Sequence, residues 1–154
     1  MNKKNKGREM KVEVKPVANS DLDKLRIVLL AEGLPVEDIL RAPVKFFEVC
    51  AENGARIGWG GLEIYGHEAV LRSVVVNSVL RGTGSGKILV ETLLEEAKHL
   101  ELKRLWLLTT NAENFFAKLG FRHALRTDAP KSIQDCEEFR WLCNETAHCM
   151  SMKV

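Results

Sequence analysis

The sequence predicts an α/β (α+β) domain of three layers, in which helices pack on a mostly antiparallel sheet. Successive strands in the first half are separated by tight turns, and one of these, Asn53-Gly54, is the strongest two-residue hairpin signal. Strands joined in this way pair antiparallel. The pattern then changes to helical spacing over residues 85–100. The apolar run 105–108 that follows is typical of a buried parallel strand.

The composition favours one compact, soluble domain. The chain has 154 residues, of which 45% are hydrophobic and 29% charged, and its formal net charge is only +2. This charge gives no argument for a nucleic-acid or membrane partner. Residues 1–10 contain basic side chains and no apolar stretch, so they predict a disordered polar tail and not a signal peptide. We therefore expect a single domain over residues 11–154 and a cytoplasmic location.

The first elements of the domain are a strand and two helices. Residues 12–16 alternate apolar and polar side chains before a proline, which predicts a short strand. Residues 19–21 offer caps to a helix that Gly33 ends. Pro35 can open a second short helix over residues 36–40.

An antiparallel meander follows, with strands at residues 46–51, 56–65 and 69–76. Glycines inside the second of these strands indicate a bulge or a close neighbour across the backbone. These glycines are Gly58, Gly60 and Gly61.

The remaining elements alternate between helix and strand. The helix over residues 85–100 ends with Lys98 and His99, whose positive charge suits a helix C-terminus. A second helix ends at Gly120, a favoured residue after a helix. The later elements are a strand at 105–108, a helix at 112–119, a strand at 121–125 and a helix at 131–141.

The segment Arg81-Gly-Thr-Gly-Ser-Gly86 lies between a strand and a helix N-terminus, a place where backbone amides can bind an anion. It does not fit a P-loop, because the first glycine would fall on Arg81 and the final hydroxyl on Ile88. It also fails the G-x-G-x-x-G pattern, whose third glycine would be Lys87 or Leu89. A plain flexible turn remains the alternative on the glycines alone.

These residues resemble the GCN5-related N-acetyltransferase (GNAT) superfamily. Its pyrophosphate loop is [Q/R]-x-x-G-x-[G/A], which residues 81–86 fit at every fixed position. Residues 71–76 are similar to the family's fourth strand, and Phe115-Phe-Ala-Lys-Leu-Gly-Phe121 to its usual F-Y-x-K-x-G-F segment. The resemblance implies the GNAT three-layer fold, with a mixed, mostly antiparallel sheet of about six to seven strands and helices on both faces.

The resemblance also implies acetyl-CoA as co-substrate, no metal, and direct attack of a small-molecule amine on the thioester. The amide of Val74 would polarise the thioester carbonyl. Family members commonly dimerise through their C-terminal segments, so a homodimer is expected. The implied cofactor-binding residues are Val74, Val75, Val76, Arg81, Gly82, Thr83, Gly84, Ser85, Gly86, Lys87, Thr109, Asn111 and Phe116.

Phe116 departs from the family pattern, in which a tyrosine at this position acts as general acid. A phenyl ring cannot donate a proton. Either water or another group protonates the departing thiolate, or the enzyme is slow, or the domain is a non-catalytic acyl-CoA-binding module.

A closer resemblance is to the arsenic-resistance N-acetyltransferase branch. It implies an amino-acid-like or arsenic-containing amine as acceptor. The segments that carry it are residues 34–38, 107–110, 128–130, 139–143 and 148–150.

Arg72 lies in a central strand beside the expected reaction centre, where it could bind a substrate carboxylate. The alternative is a structural ion pair with Glu63 or Glu68. A general base cannot be assigned among Glu63, His67 and Glu68. Thr109 and Asn111 could instead cap the helix that follows them.

Three late cysteines, Cys136, Cys143 and Cys149, raise a third function, a thiol-based metalloid binder. The first two are seven residues apart, so a helix would put them on one face. The stronger alternative is that they pack in the core as small apolar residues.

Overall fold

The computed structural model describes residues 11–154, so the predicted tail at residues 1–10 lies outside it. Seven strands form one sheet. They are β1 (Val12–Pro16), β2 (Val44–Ala51), β3 (Arg56–Tyr65), β4 (Glu68–Val76), β5 (Arg104–Thr109), β6 (Arg122–His123) and β7 (His148–Lys153).

The sheet has the order β1-β2-β3-β4-β5-β7-β6. Neighbouring strands pair antiparallel except β4 and β5, which are parallel. This arrangement confirms the mixed, mostly antiparallel sheet that the sequence predicts. The parallel pair is short, because it joins Glu68–Val70 only to Arg104–Trp106.

The helices lie on both faces of the sheet, as expected. On one face, Leu89 and Leu93 of α2 and Phe116 of α3 share a buried core with the sheet, and on the other face Leu29 of α1 and Ile133 of α4 are buried. Among residues 11–154, no helix has both the length and the apolar character that crossing a bilayer requires. The helices are α1 (Leu22–Ala31), α2 (Ser85–His99), α3 (Glu113–Lys118) and α4 (Lys131–Gln134).

Alternation along the strands divides the core between the two faces. In β5, Leu105 and Leu107 are buried with α2 and α3, whereas Trp106 is buried on the opposite face with α4. Successive side chains of a strand point to opposite faces, and both faces of β5 are covered. The apolar run at residues 105–108 therefore follows from its central position in the sheet.

The glycines of β3 mark close contacts, as predicted. A Cβ at Gly58 would lie 2.3 Å from the carbonyl oxygen of Val75 on β4, and one at Gly60 would lie 2.3 Å from Leu93 of α2. The pairing of β3 with β4 also shifts register between Trp59 and Gly61, which is a bulge. Because Gly58 and Gly60 lack a Cβ, β4 and α2 can approach the backbone of β3 closely.

The second short helix predicted at residues 36–40 is wrong. These residues form turns, in which the amide of Ile39 donates to the carbonyl of Val36 at 3.3 Å. Asp38 is buried and bonds to Arg72 of β4. A contact between residues distant in sequence therefore decides the local conformation here.

The helix predicted at residues 131–141 is also interrupted. α4 ends at Gln134, and a separate π-helical turn follows at Glu138–Leu142. The break turns Glu138 inward, where it is buried and contacts Arg72. The strand predicted at residues 121–125 shrinks to β6. The sequence does not predict β7, whose residues combine sulfur-containing and polar side chains.

Candidate active site

A cleft opens between β4 and β5 beyond their short parallel pairing. Past Val70 and Trp106 the two strands are no longer paired, so the β4 edge that faces β5 lacks a strand partner there. A cavity of about 360 Å³ occupies this opening. It is lined by Glu32, Leu34, Val74, Val75, Val76, Arg81 and Asn111.

A bulge in β4 lies at the entrance of this cleft. Ser73 has a φ of +58°, which is uncommon for a residue other than glycine. The register puts Trp59 opposite Val75 and Gly61 opposite Arg72, so Gly60 alone faces the two intervening β4 residues. A bulge leaves backbone groups outside the ladder. Val74 is one of the two intervening residues and also lines the cavity.

The glycine loop connects β4 to α2 at the end of the cleft. Gly82 and Gly84 have φ values of +78° and +83°, and a Cβ at either would meet no atom within 4 Å. Packing against the protein therefore does not require glycine at these two positions. The positive φ does favour glycine, and so would a ligand that approaches the backbone closely. No side chain caps the N-terminus of α2 at Gly84, so its first-turn amides are available to an anion.

The loop is held from its protein side. Thr83 donates through its hydroxyl to the carbonyl of Leu80, and its oxygen lies 2.8 Å from that of Ser85, which is buried. Arg81 forms an ion pair with Glu32 at the C-terminal end of α1. Lys87 pairs along the helix with Glu91 at 3.8 Å. The side chains thus orient the loop, within which the Thr83 amide donates to the carbonyl of Leu80 at 3.3 Å.

The remaining predicted cofactor residues lie on the β5 side. Asn111 lines the cleft. Thr109 accepts a hydrogen bond from the amide of Ala112 at 3.0 Å, but Ala112 is itself the N-cap of α3 and no side chain caps that helix. Phe116 is 8% exposed and makes edge-to-face contacts with Phe115 and Phe121.

Arg72 occupies the centre of a buried ionic cluster. Its guanidinium donates to Asp38 at 2.6 and 2.7 Å and to Glu63 at 2.8 Å, and its Nε lies 2.7 Å from Glu138. Nη2, which makes one of the two bonds to Asp38, also lies 3.4 Å from the Pro35 carbonyl. Because its donors are used by protein acceptors, binding a substrate carboxylate would require one of these contacts to open.

The carboxylates of this cluster outnumber its cation. Burial, partly offset by Arg72, raises the pKa of Glu138 to about 7. Glu63 also accepts a hydrogen bond from Tyr65, whose own pKa is raised by burial and by this contact. The cluster can therefore hold a proton near neutral pH.

The three residues considered as general base, Glu63, His67 and Glu68, lie in different surroundings. Glu63 is buried between Arg72 and Tyr65, and Glu68 accepts a hydrogen bond from Trp106 Nε1 at 2.9 Å. His67 lies in the turn between β3 and β4. Sequence reasoning missed Asp38 and Glu138, since nothing in their local sequence signals a contact with Arg72.

The late cysteines do not converge into a thiol site, and Cys136 and Cys149 are instead buried in the core, which was the stronger alternative. Among residues 11–154, only one group of potential metal ligands converges within 4.8 Å, and it contains no cysteine. The break after α4 also removes the shared helix face of Cys136 and Cys143. Burial raises the pKa of both these thiols to about 12 and that of Cys149 to about 11, which disfavours the thiolate.

Residues 17–121 match the acetyltransferase (GNAT) family, and the chain belongs to that family. The match includes the strands that border the cleft, the glycine loop and α3. The family assignment thus rests on the same part of the chain that forms the candidate site.

An amino-acid acetyltransferase of Ralstonia nicotianae is 31% identical, over 75% of this chain and 30% of that protein. The chain therefore spans less than a third of this relative's length.

Two solved structures share the fold. N-acetylglutamate synthase from Neisseria gonorrhoeae, complexed with coenzyme A and N-acetyl-glutamate, gives a TM-score of 0.72 at 17% identity, covering 96% of this chain and 36% of that one. Rv2747 from Mycobacterium tuberculosis, in complex with CoA, gives 0.71 at 21% identity, covering 92% and 99%.

Proposed function

We propose that the protein transfers an acetyl group from acetyl-CoA to the amine of a small, amino-acid-like molecule. The observation that carries the proposal is the cleft between β4 and β5, which joins an unpaired strand edge to a glycine-rich helix N-terminus. The extended pantetheine arm suits the strand edge, and the pyrophosphate suits the uncapped N-terminus of α2 and the glycine loop before it.

The chemistry follows from this placement. The amine nitrogen attacks the thioester carbonyl, the C–N bond forms, and the C–S bond breaks to release the CoA thiolate. The amide of Val74 donates to the carbonyl oxygen as it gains negative charge. The proton lost by the amine and the proton gained by the thiolate pass through water, since Phe116 offers no hydroxyl.

The amino-acid character of the acceptor is supported by the relatives. The Ralstonia protein is an amino-acid acetyltransferase, and the Neisseria enzyme was solved with N-acetyl-glutamate. We assign Arg72 a positioning role, because its contacts with Asp38, Glu63 and Glu138 fix the strand beside the Ser73 bulge. An arsenic-containing amino acid belongs to this class of acceptor. We also propose a homodimer as the working assembly.

The test is an acceptor panel with acetyl-CoA held constant. The panel contains free α-amino acids, an arsenic-containing amino acid, polyamines and a short peptide. Acetylated product is measured by mass spectrometry, because the free cysteines of the chain would contribute to a thiol assay. We expect turnover with a free α-amino acid. Turnover confined to the peptide or the polyamines would contradict the proposed acceptor class.

A second function, a non-catalytic acyl-CoA-binding module, is favoured by one observation. The position of the usual tyrosine acid is filled by Phe116, whose ring is packed between Phe115 and Phe121. Saturable acetyl-CoA binding without product from any acceptor would support this function against the enzyme.

A further inference from the structure

A cluster of metal-ligating side chains lies outside the cleft. Glu113 opens α3, His123 is in β6 and His148 opens β7. One carboxylate oxygen, Glu113 Oε2, lies 3.3 Å from His123 Nε2 and 3.4 Å from His148 Nδ1. The three ligand atoms lie within 4.8 Å of one another. Three separate elements thus direct two imidazoles and a carboxylate to one point.

We propose that Glu113, His123 and His148 bind a divalent transition-metal ion, with Zn²⁺ as the best candidate. Zinc ligands in proteins lie about 2.0–2.2 Å from the ion, so neighbouring ligands in a tetrahedron are about 3.4 Å apart. The two measured separations from Glu113 Oε2 match this spacing. Two histidines with one carboxylate form a recognised donor set for zinc and for ferrous iron.

A plain ion pair explains the cluster less well. Two imidazoles share one carboxylate oxygen, and their ring centroids are 5.6 Å apart. A divalent ion instead uses a lone pair from each ring and gives the carboxylate its counter-charge.

The fold holds the ligands in place and leaves room for water. His148 is opposite Thr109 in the β5–β7 pairing, and His123 is opposite Met150 in the β6–β7 pairing. The side chains of Glu113, His123 and His148 are 36%, 61% and 40% exposed. A bound ion could therefore complete its coordination with solvent.

The ion would connect α3 to the β6–β7 pair. α3 also carries Phe115, which a Cβ at Gly86 would approach to 3.4 Å. The site would thus fasten the helix that packs against the glycine loop. It takes no part in acetyl transfer, and the proposal stands independently of that activity.

The test is metal binding by the full chain, prepared without a histidine tag and stripped with a chelator. Zn²⁺ is titrated in competition with a chromogenic chelator under reducing conditions. We expect one equivalent to bind with micromolar or tighter affinity. Both His123→Ala and His148→Ala should weaken binding at least tenfold, and Glu113→Gln should also weaken it.

Matched variants separate this site from other donors. His99→Ala is the control for a single exposed histidine beside a glutamate, since His99 lies 3.8 Å from Glu96. Cys143→Ser is the control for a thiol. Both should bind Zn²⁺ like the wild type, and circular dichroism without metal should show that every variant is folded.

A second readout is independent of the competition assay. Zn²⁺ should raise the melting temperature of the wild type by mass action and leave that of a folded His123→Ala/His148→Ala variant unchanged. Co²⁺ should give ligand-field bands without a thiolate charge-transfer band. The proposal is overturned by absence of saturable uptake below 1 mM, by uptake that the double variant retains, or by uptake that Cys143→Ser abolishes.

Discussion

Arg72 shows how one buried residue organises its surroundings. Its guanidinium is shared by three carboxylates, those of Asp38, Glu63 and Glu138, and all four side chains are nearly inaccessible. Removing one partner from such a cluster leaves an uncompensated buried charge, which is strongly destabilising. One cation cannot balance three carboxylates, so the cluster favours retention of a proton.

The proton on Glu138 predicts a pH-dependent stability. The pKa of this carboxyl rises from its ordinary value near 4.5 to about 7 in the folded protein, chiefly because it is buried. The folded state therefore binds the proton more tightly than the unfolded state. This contribution to stability is fully present below pH 4.5 and is lost as the pH rises through 7.

Urea unfolding between pH 5 and pH 8 measures this effect. The free energy of unfolding of the wild type should fall between these two pH values. In Glu138→Gln this fall should be smaller by on the order of 1–3 kcal/mol. Glu137→Gln is the matched control, because Glu137 pairs with the exposed Arg41 outside the cluster. Equal pH dependence in the wild type and Glu138→Gln would show that Glu138 is not the titrating group.

Substitution of Phe116 by tyrosine would restore the hydroxyl that serves as general acid in the family pattern. We expect Phe116→Tyr to raise kcat, by up to ~10²-fold, because a hydroxyl at the family's usual position can protonate the leaving thiolate. The acetyl-CoA affinity should stay within a factor of two. Phe115→Tyr, on the neighbouring, more exposed ring, should not raise kcat. An unchanged rate in a folded Phe116→Tyr variant would mean that the ring does not face the thioester.

At the scale of elements, the sequence predicted those parts that local patterns determine. The hairpin of β2 and β3, the helix α2 and the glycine loop follow from turn residues and from apolar periodicity. The segments at 36–40 and 131–141 were mispredicted because Asp38 and Glu138 turn inward to Arg72. A contact between distant residues leaves no local signal. β7 was missed because its residues are poor in β-branched side chains. It forms a strand because it pairs with both β5 and β6.

The close approach of β4 and α2 to β3 predicts an order of stabilities. A Cβ at Gly58 would meet the Val75 backbone, which cannot move aside, whereas a Cβ at Gly60 would meet the flexible end of Leu93. Gly58→Ala should lower the free energy of unfolding by about 1–3 kcal/mol, and Gly60→Ala by less. Chemical denaturation measures both. A larger cost for Gly60→Ala would mean that α2 is the more rigid neighbour.

In the whole molecule, the candidate site is the cleft between β4 and β5, where the two parts of the sheet diverge. Among residues 11–154, the only strand pairing between the meander β1–β4 and the group β5–β7 is the short parallel one of β4 with β5. The cavity and the glycine loop lie beyond this junction. The sequence could predict the loop, because glycine spacing is local, whereas its acetyl-CoA ligand was implied by the family resemblance. The sequence also offered the ion pair of Arg72 with Glu63 as an alternative, which the structure shows. It could not predict the contacts of Arg72 with Asp38 and Glu138, because these depend on tertiary placement. The same holds for the convergence of Glu113, His123 and His148.

Calorimetric titration of acetyl-CoA into a loop variant measures whether the glycine loop binds acetyl-CoA. Gly84→Val should weaken binding more than tenfold, which is about 1.4 kcal/mol, because a side chain would enter the space of the pyrophosphate. Gly54→Val is the matched control: Gly54 also has a positive φ, +85°, and open space around its Cβ position, but it lies in the β2–β3 turn. We expect the control to retain wild-type affinity. Unchanged affinity in a folded Gly84→Val protein, or equal losses in both variants, would contradict binding of acetyl-CoA by the loop.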